Sequence, residues 1–573
     1  MRKYLPPIKM VKRSSTFIIL ASMVGACSIL PFLPDRMATS PVLDGFGGGN
    51  LIPSQANSEA QKLFAQAMSQ VYGFNGSEAI RAFKAALAKD PQCAMCAWGV
   101  AYQMGPNIND PSRGDFTEAL NYVEYALNHS SSASARDRAL IESLALRYAH
   151  DSVKREVTPL MGEICAVAGK SSAERAHPLD VAYAERMLQL VERYPNDPDV
   201  LTIYAEAEMV ATTDDWWDRK TGQAGGKIGE LADRLELALK KYPEHTGLNH
   251  YMIHSVDAVQ VAARAVPAAD RLGLLAPKSP HLLHMPSHTY AQVGRYADAT
   301  RVNQLAVAAD EAMMAELKRQ NFEDTKDWRG HNRHFQWYGA LMEGRGDLAL
   351  ETARAAAAAS TGDHEYGEYV RSLPILTLMY LQRWDAVQVE AMPIGGKGLA
   401  IALGEMARGV GFARTGQREK AKESLARLEL AADDLLKRNT GNDYVGKLIR
   451  SMTNTSKHQL RAELALAQQR VEDALNEQAK AVTASLDADN TEPPTLAGAS
   501  RRHLGMMQIQ AKQYVQAEQS FREDLKEHLH SGWSLHGLTL ALKAQGKDIE
   551  AQKIQTDLDR SWKLADSRLR QMP

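Results

Sequence analysis

The chain has 573 residues, of which 67 are basic and 69 acidic, and its formal net charge is −2. This balance argues against a broad basic surface for nucleic acid, and four cysteines are too few for a fold held together by disulfides. Because the length exceeds that of one compact core, we expect several domains or an array of repeats.

The N-terminal segment has the pattern of an export signal. Several basic residues precede an apolar run over 16–33, and a sequence close to a bacterial lipobox ends at Cys27. This predicts a signal peptide over 1–26 and lipidation of Cys27. Ordinary cleavage after Ala26 and an uncleaved membrane anchor are the alternatives. We expect an exported, periplasmic or envelope-associated bacterial protein whose only membrane attachment is this terminus.

Residues 27–56 are predicted to form a flexible tether. Pro, Gly and Ser are frequent over 34–56, and four of the five residues at 45–49 are glycine. Such compositions are typical of linkers and turns rather than of helices or strands. The tether would lead from the envelope to the folded body.

From about Ser58 onward the sequence pattern predicts amphipathic helices separated by loops rich in Gly and Pro. The main breaks fall at 218–227, 392–396 and 487–494. They are predicted to be joints within one array. The predicted units are an N-terminal block (57–217), a histidine block (228–391) and C-terminal repeats (398–573).

A turn of the form G/Q-x-x-x-x-A, with small variations, recurs through the second and third units. Its first positions are Gly294, Gly344, Gln382, Gly416, Gln469, Lys512 and Gly546. The shortest intervals are about 34 residues, which is the spacing of tetratricopeptide repeats (TPR). We therefore predict an all-α TPR-like superhelix, a solenoid of antiparallel helix pairs with a concave groove. An all-α bundle is the alternative.

Cys93 and Cys96 lie three residues apart near a predicted helix start. That spacing suits a local disulfide, a redox pair or two thiolate ligands, and a pair of small buried residues is the alternative. Because the remaining cysteines form no second pair, a four-cysteine zinc site is excluded.

Eight of the seventeen histidines lie between His245 and His334, in helical register. Side chains three, four or seven residues apart share one helix face, so three helices could each aim imidazoles at a common point. Imidazole is a ligand for transition metals such as Cu, Fe and Zn. The predicted metal-binding residues are His250, His254, Asp257, His281, His284, His288, His331 and His334.

Two neighbouring features sharpen this prediction. Asp257 could bind a metal or orient an imidazole, and Pro286 is predicted to kink the helix between His284 and His288. The alternative is a set of buried structural histidines that bond to the backbone. The residues predicted to lie around the ligands are His245, Glu206 and Tyr204.

Familiar catalytic motifs are missing. The HExxH motif is not met, because Tyr251 and Met285 stand where it has Glu, and no paired Glu-x-x-His of the di-iron bundle type occurs. A standard hydrolytic zinc site is therefore not expected. No glycine-rich phosphate-binding motif occurs in the required context, so we expect no nucleotide cofactor.

Two long histidine strings and several shorter strings carry a resemblance to known proteins. The strings are 245–254 and 281–288, with 72–75, 93–99, 105–107, 204–207, 331–335 and 532–538. On these residues the chain resembles a large group of bacterial exported TPR proteins without assigned biochemistry, over most of 58–570. The resemblance implies the TPR fold. Thr246 departs from the proline usual in the group, and aromatic residues usual after Glu492-Pro493-Pro494 are missing.

Three functions follow from these features. The first is a scaffold of the cell envelope whose groove binds a protein or peptide and whose histidines form a structural or metal-binding centre. The second is a Cu- or Fe-dependent redox enzyme built on the repeat scaffold, with His250, His254, His284 and His288 as ligands. The third is sequestration or delivery of metal in the envelope.

Overall fold

In the computed structural model the described residues are 34–109, 116–148, 176–212, 215–219, 221–322, 327–441, 444–486 and 491–570. The predicted signal peptide, Cys27 and Cys165 lie outside them. Over these ranges the structure has isolated β-bridge residues but no β-strand, and the predicted all-α, TPR-like solenoid is confirmed. In the same ranges no helix is long and apolar enough to cross a membrane.

Helices follow one another along the whole described chain. Short 3-10 turns lie at Ser130–Ser132, Ala262–Ala265 and Thr495–Gly498. The α-helices are α1 (Ser58–Tyr72), α2 (Gly76–Lys89), α3 (Ala94–Gln103), α4 (Thr117–Asn128), α5 (Ala135–Tyr148), α6 (Pro178–Arg193), α7 (Pro198–Ala211), α8 (Ile228–Lys241), α9 (Thr246–Ser255), α10 (Val266–Leu275), α11 (Pro280–His284), α12 (Pro286–Gln292), α13 (Tyr296–Arg319), α14 (Arg329–Met342), α15 (Gly346–Ala359), α16 (Glu365–Tyr380), α17 (Trp384–Val389), α18 (Leu399–Arg414), α19 (Arg418–Arg438), α20 (Tyr444–Ala467), α21 (Val471–Ser485), α22 (Ala499–Gln510), α23 (Tyr514–Glu527), α24 (Gly532–Ala544), α25 (Asp548–Ser561) and α26 (Ser567–Arg570).

The recurring turn joins consecutive helices through one residue in the left-handed conformation. A residue of this kind ends a helix and reverses the chain, and glycine adopts it without a steric cost. All seven first positions of the predicted turn have it: Gly294 (φ 75°), Gly344 (80°), Gln382 (53°), Gly416 (78°), Gln469 (60°), Lys512 (59°) and Gly546 (71°). The pattern therefore marks helix-pair turns, as predicted.

The segment predicted as a tether is bound to the body over its described part. Gly48 N–H donates to Thr246 Oγ1 at 2.9 Å, and Asn50 N–H donates to Asp199 Oδ2 at 2.9 Å. A Cβ added at Gly47 would stand 2.5 Å from Thr246 Oγ1. The glycines permit close backbone packing here rather than flexibility, contrary to the prediction.

The C-terminal repeats return to the histidine block. The Tyr296 hydroxyl donates to the Leu529 carbonyl at 3.0 Å, and Asp566 N–H donates to the Gly344 carbonyl at 2.9 Å. One apolar cluster runs from Tyr296 through helices of both units to Leu569. A cavity lies where these repeats face the histidine block.

Cys93 and Cys96 are joined by a disulfide at the start of α3, and both side chains are buried. Of the predicted alternatives, the structure therefore has the local disulfide. Thiolate ligation by this pair does not apply, because each sulfur is bonded to the other.

Candidate metal centre

Four short stretches of helix carry the histidines inward. His250 and His254 lie one turn apart on α9. Pro286, which has no N–H to donate to the preceding turn, separates α11 from α12, so His284 ends one helix and His288 lies in the next. This break is the one predicted. His281 lies on α11 and His331 on α14, and all six imidazoles are buried.

His250, His254 and His281 form the first of two clusters, which we name triad one. His250 Nε2 lies 3.0 Å from His254 Nε2 and 3.1 Å from His281 Nε2. The ligating nitrogens all lie within 4.8 Å of one another, which is compatible with a single metal ion between them.

His284, His288 and His331 form the second cluster, triad two. His284 Nε2 lies 2.9 Å from His288 Nε2 and 3.0 Å from His331 Nε2. Like triad one, this group could hold a metal ion through three imidazole nitrogens. The two triads are adjacent, since the ring centroids of His281 and His284 are 6.1 Å apart.

A phenylalanine lies against each triad. The Phe74 ring centroid is 4.6 to 5.8 Å from the three rings of triad one, and that of Phe335 is 4.5 to 5.2 Å from those of triad two. These rings exclude water from one side of each cluster. Phe74 does so from a left-handed backbone position with φ 54°, a conformation unfavourable for a residue with a Cβ.

The hydrogen bonds of triad two determine which nitrogens carry protons. Asn303 donates its Nδ2 to the Ala299 carbonyl, which turns its Oδ1 toward His284 Nδ1 at 2.7 Å. His288 Nδ1 lies 2.8 Å from Asp257 Oδ2 and 2.8 Å from Glu492 Oε2. Both Nδ1 atoms face oxygen acceptors and therefore carry a hydrogen. The ring of His284 is neutral, and its Nε2 presents a lone pair toward His288 Nε2, 2.9 Å away.

The surroundings oppose protonation of the rings. Burial, and next the neighbouring imidazoles, lower the pKa of His250, His254 and His284 well below its ordinary value. Neutral imidazole is the form that binds metal. These three histidines are thus held in their metal-binding form.

Two carboxylates share the outer nitrogen of His288. Burial by itself would raise the pKa of Asp257, but the His288 charge and hydrogen bond lower it overall. Burial, and then the charge of Asp257, raise the pKa of Glu492 to about 7. Asp257 is therefore the charged partner that orients His288, one of the two roles that the sequence predicts for it.

A cavity of about 840 Å³ reaches both triads. His254 from triad one and His288 from triad two lie on its wall, with Trp216, Phe335 and Glu492 among the other lining residues. A small molecule in this cavity would meet one ligand of each triad. The remaining four imidazoles are not among its lining residues.

Several predicted residues lie outside the triads. His334, one turn past His331, bonds to the Tyr369 hydroxyl at 2.8 Å, and burial lowers its pKa to about 3. His245 instead caps α9 by accepting from Leu248 N–H at 3.1 Å, and its Nε2 faces Asp199.

The other two predicted neighbours have different partners. Tyr204 donates to Glu208 at 3.3 Å, whereas Glu206 accepts a hydrogen bond from the Tyr102 hydroxyl. Neither belongs to the groups of side chains that could hold a metal.

Sequence reasoning missed Phe74, Asn303 and the contact made by Glu492. Phe74 had a detectable signal, because Phe74 to Ala79 has the spacing of the recurring turn with Phe in the glycine position. Asn303 and Glu492 had none, since only the tertiary fold places them beside the imidazoles.

No family model matches the sequence, and no curated protein matches it. Among solved structures, the human IFIT1 dimer with m7Gppp-AAAA is 12% identical, with 88% of this chain and 96% of that chain covered and a TM-score of 0.32. The APC/C hetero-tetramer Cut9-Hcn1 is 14% identical (89% and 78% covered, TM-score 0.29), and yeast Tom70 is 11% identical (87% and 92%, TM-score 0.29). At these values the likenesses carry no argument about what this chain binds.

Proposed function

We propose that each triad binds one transition-metal ion and that the two ions form a dinuclear redox centre. The observation that carries this proposal is the convergence of three buried imidazole nitrogens in each triad, all within 4.8 Å of one another. Three imidazole nitrogens at this spacing can converge on one ion, and neutral imidazole is the form that binds it.

Copper fits the ligand set best. All six inward nitrogens belong to imidazoles, whereas di-iron bundle sites draw on bridging carboxylates. Six neutral ligands do not offset the charge of two buried divalent ions, whose desolvation is costly. Two Cu(I) ions carry half that charge, and a copper pair can exchange two electrons.

The cavity favours catalysis over storage. It brings a small molecule to His254 and His288, whereas a storage site is expected to saturate its ions with protein ligands. The centre would reduce dioxygen or peroxide by two electrons while oxidising a small organic donor. In this reaction the chain's residues hold the ions, Asp257 orients His288, and the two phenylalanines exclude water.

We further propose that this enzyme is exported to the envelope, with lipidation at Cys27 as the sequence predicts. The disulfide between Cys93 and Cys96 supports an oxidising compartment, since such bonds are rare in the cytosol. A protein or peptide partner in the concave groove stays a prediction, as do sequestration and delivery of metal.

Metal analysis of the full chain reconstituted anaerobically with Cu(I) tests the proposal. We expect two copper ions per chain, and one ion in each of His250→Ala and His331→Ala, since each variant leaves a two-histidine site. His334→Ala is the matched control, because this buried histidine on α14 bonds to tyrosine, and it should retain both ions.

The function is tested in the same samples by the consumption of dioxygen or hydrogen peroxide with an organic electron donor. Turnover should require both ions. Copper binding below one ion per chain, or equal loss of copper in His334→Ala, would overturn the metal centre. Full loading without turnover would overturn the redox activity alone.

A further inference from the structure

Beside triad one lies a buried group of tyrosines that the proposed metal centre does not use. Tyr251 follows His250 on α9, and its ring centroid is 5.4 Å from that of His250 and 6.3 Å from that of His254. Its hydroxyl end faces the Glu206 carboxylate. Burial raises the pKa of Tyr251, and the charge of Glu206 raises it further.

Glu206 also accepts a hydrogen bond from the Tyr102 hydroxyl. The Tyr102 ring stacks on Trp98 with centroids 5.0 Å apart and planes inclined by 5°. Tyr102, Trp98 and Glu206 are all buried. Two buried phenols, one beside triad one and one stacked on Trp98, therefore lie on either side of a single carboxylate.

A phenol gives up an electron readily only if its proton can leave at the same time, because the protonated radical is a very strong acid. A buried phenol in contact with apolar groups alone would have no place for that proton. The Tyr102 hydroxyl already donates to Glu206, so the proton can cross an existing hydrogen bond without solvent.

We propose that Tyr102, with Glu206 as its proton acceptor and Tyr251 as the link to the metal centre, is a one-electron redox site of this protein. This inference rests on the proposed copper centre. In it, Tyr102 stores one oxidising equivalent as a radical, away from the two metal ions.

The reaction has a definite balance with hydrogen peroxide as the oxidant. One electron comes from a Cu(I) ion, which becomes Cu(II), and one comes from Tyr102, which becomes a neutral phenoxyl radical. The Tyr102 proton passes to Glu206. Cleavage of the O–O bond with these two electrons and two protons from solvent gives two molecules of water.

The experiment is electron paramagnetic resonance on the copper(I)-loaded full chain, frozen after addition of hydrogen peroxide. We expect a tyrosyl radical signal that narrows when the protein contains ring-deuterated tyrosine. Tyr102→Phe should remove at least nine tenths of it, and Glu206→Gln should lower its yield several-fold. Copper content and thermal unfolding are measured on every sample, so that loss of fold or metal is recognised.

Tyr183→Phe is the matched control. Tyr183 is buried in the same group, beside Arg147, whose guanidinium carbon is 5.0 Å from its ring centroid. It should leave the radical unchanged. With two copper ions bound, absence of a radical, an unchanged signal in Tyr102→Phe, or equal loss in Tyr183→Phe overturns the inference and leaves the metal centre standing. Failure to bind copper overturns both.

Discussion

His254 and His288, which belong to different triads, lie with ring centroids 6.4 Å apart on the wall of one cavity. Their helices, α9 and α12, are separated in sequence by α10 and α11. The stacking of repeats thus brings the edges of two three-histidine clusters to a shared opening. A molecule that enters there can contact both clusters at once, which two isolated metal sites would not permit.

Removal of the carboxylate behind His288 should weaken one metal site. Asp257→Asn keeps the shape of the side chain but removes the charge that orients the ring, and loss of such a partner typically lowers metal affinity by about 10- to 100-fold. Competition with a chromogenic chelator measures the change. Asp270→Asn is the control, because Asp270 bonds to Tyr290 and Arg295 instead, and an equal effect there would contradict the assignment.

Copper should remain bound at unusually low pH. Burial lowers the pKa of three ligand histidines, so protons compete with metal only well below the ordinary value of 6.5. A pH titration of copper release should therefore have its midpoint clearly below 6.5, where exposed histidines would release metal. Release centred at or above that pH would contradict the neutral, buried state of the triads.

Asp310 should make the fold less stable as the pH rises. Burial, and then the charge of Asp327, raise the pKa of Asp310 to about 8 from an ordinary 3.8. Between these values the folded chain holds a proton that the unfolded chain releases, so the free energy of unfolding falls with rising pH.

Asp310→Asn removes this dependence. Relative to the unsubstituted chain it should gain more than about 1.4 kcal/mol, the free energy of a one-unit pKa difference, between about pH 5 and pH 8. Urea unfolding at the two pH values measures the gain. The exposed Asp385 gives the control variant Asp385→Asn, and the same gain there would show that Asp310 is not the cause.

Glycine in the left-handed turns should have opposite effects at two positions. Lys512→Gly relieves an unfavourable φ of 59° and should stabilise the chain by up to about 1 kcal/mol. Phe74→Gly relieves the same conformation but removes the ring over triad one, so we expect net destabilisation and faster loss of one copper ion to a chelator. Equal stabilisation in both variants would show that the Phe74 contacts contribute little.

The sequence predicted the fold because its evidence is local. A left-handed turn residue, an alanine five positions later and helical periodicity all act within one repeat. Helical register also identified the six triad histidines correctly as inward-facing candidates, because residues on one face of a helix keep that relation wherever the helix packs.

The grouping of those histidines was not predictable from register. Spacing along the chain groups His281 with His284 and His288, but its Nε2 faces His250 in triad one, because the break at Pro286 separates α11 from α12. His334 shares a face with His331 on α14, yet its ring bonds to the Tyr369 hydroxyl instead of joining triad two. The contacts of these histidines depend on which helices pack together, and periodicity within one helix does not predict that packing.

Repeat arrays usually tolerate shortening, because each unit contacts only its neighbours. Here Glu492 contacts His288, and Leu529 and Asp566 bond to residues at the start of α13 and just before α15. The C-terminal repeats and the histidine block therefore hold each other in place. Truncation after α21 is therefore expected to damage a centre whose ligands all precede the cut. The C-terminal repeats are therefore part of what holds the histidine clusters together, and not a dispensable extension of the array.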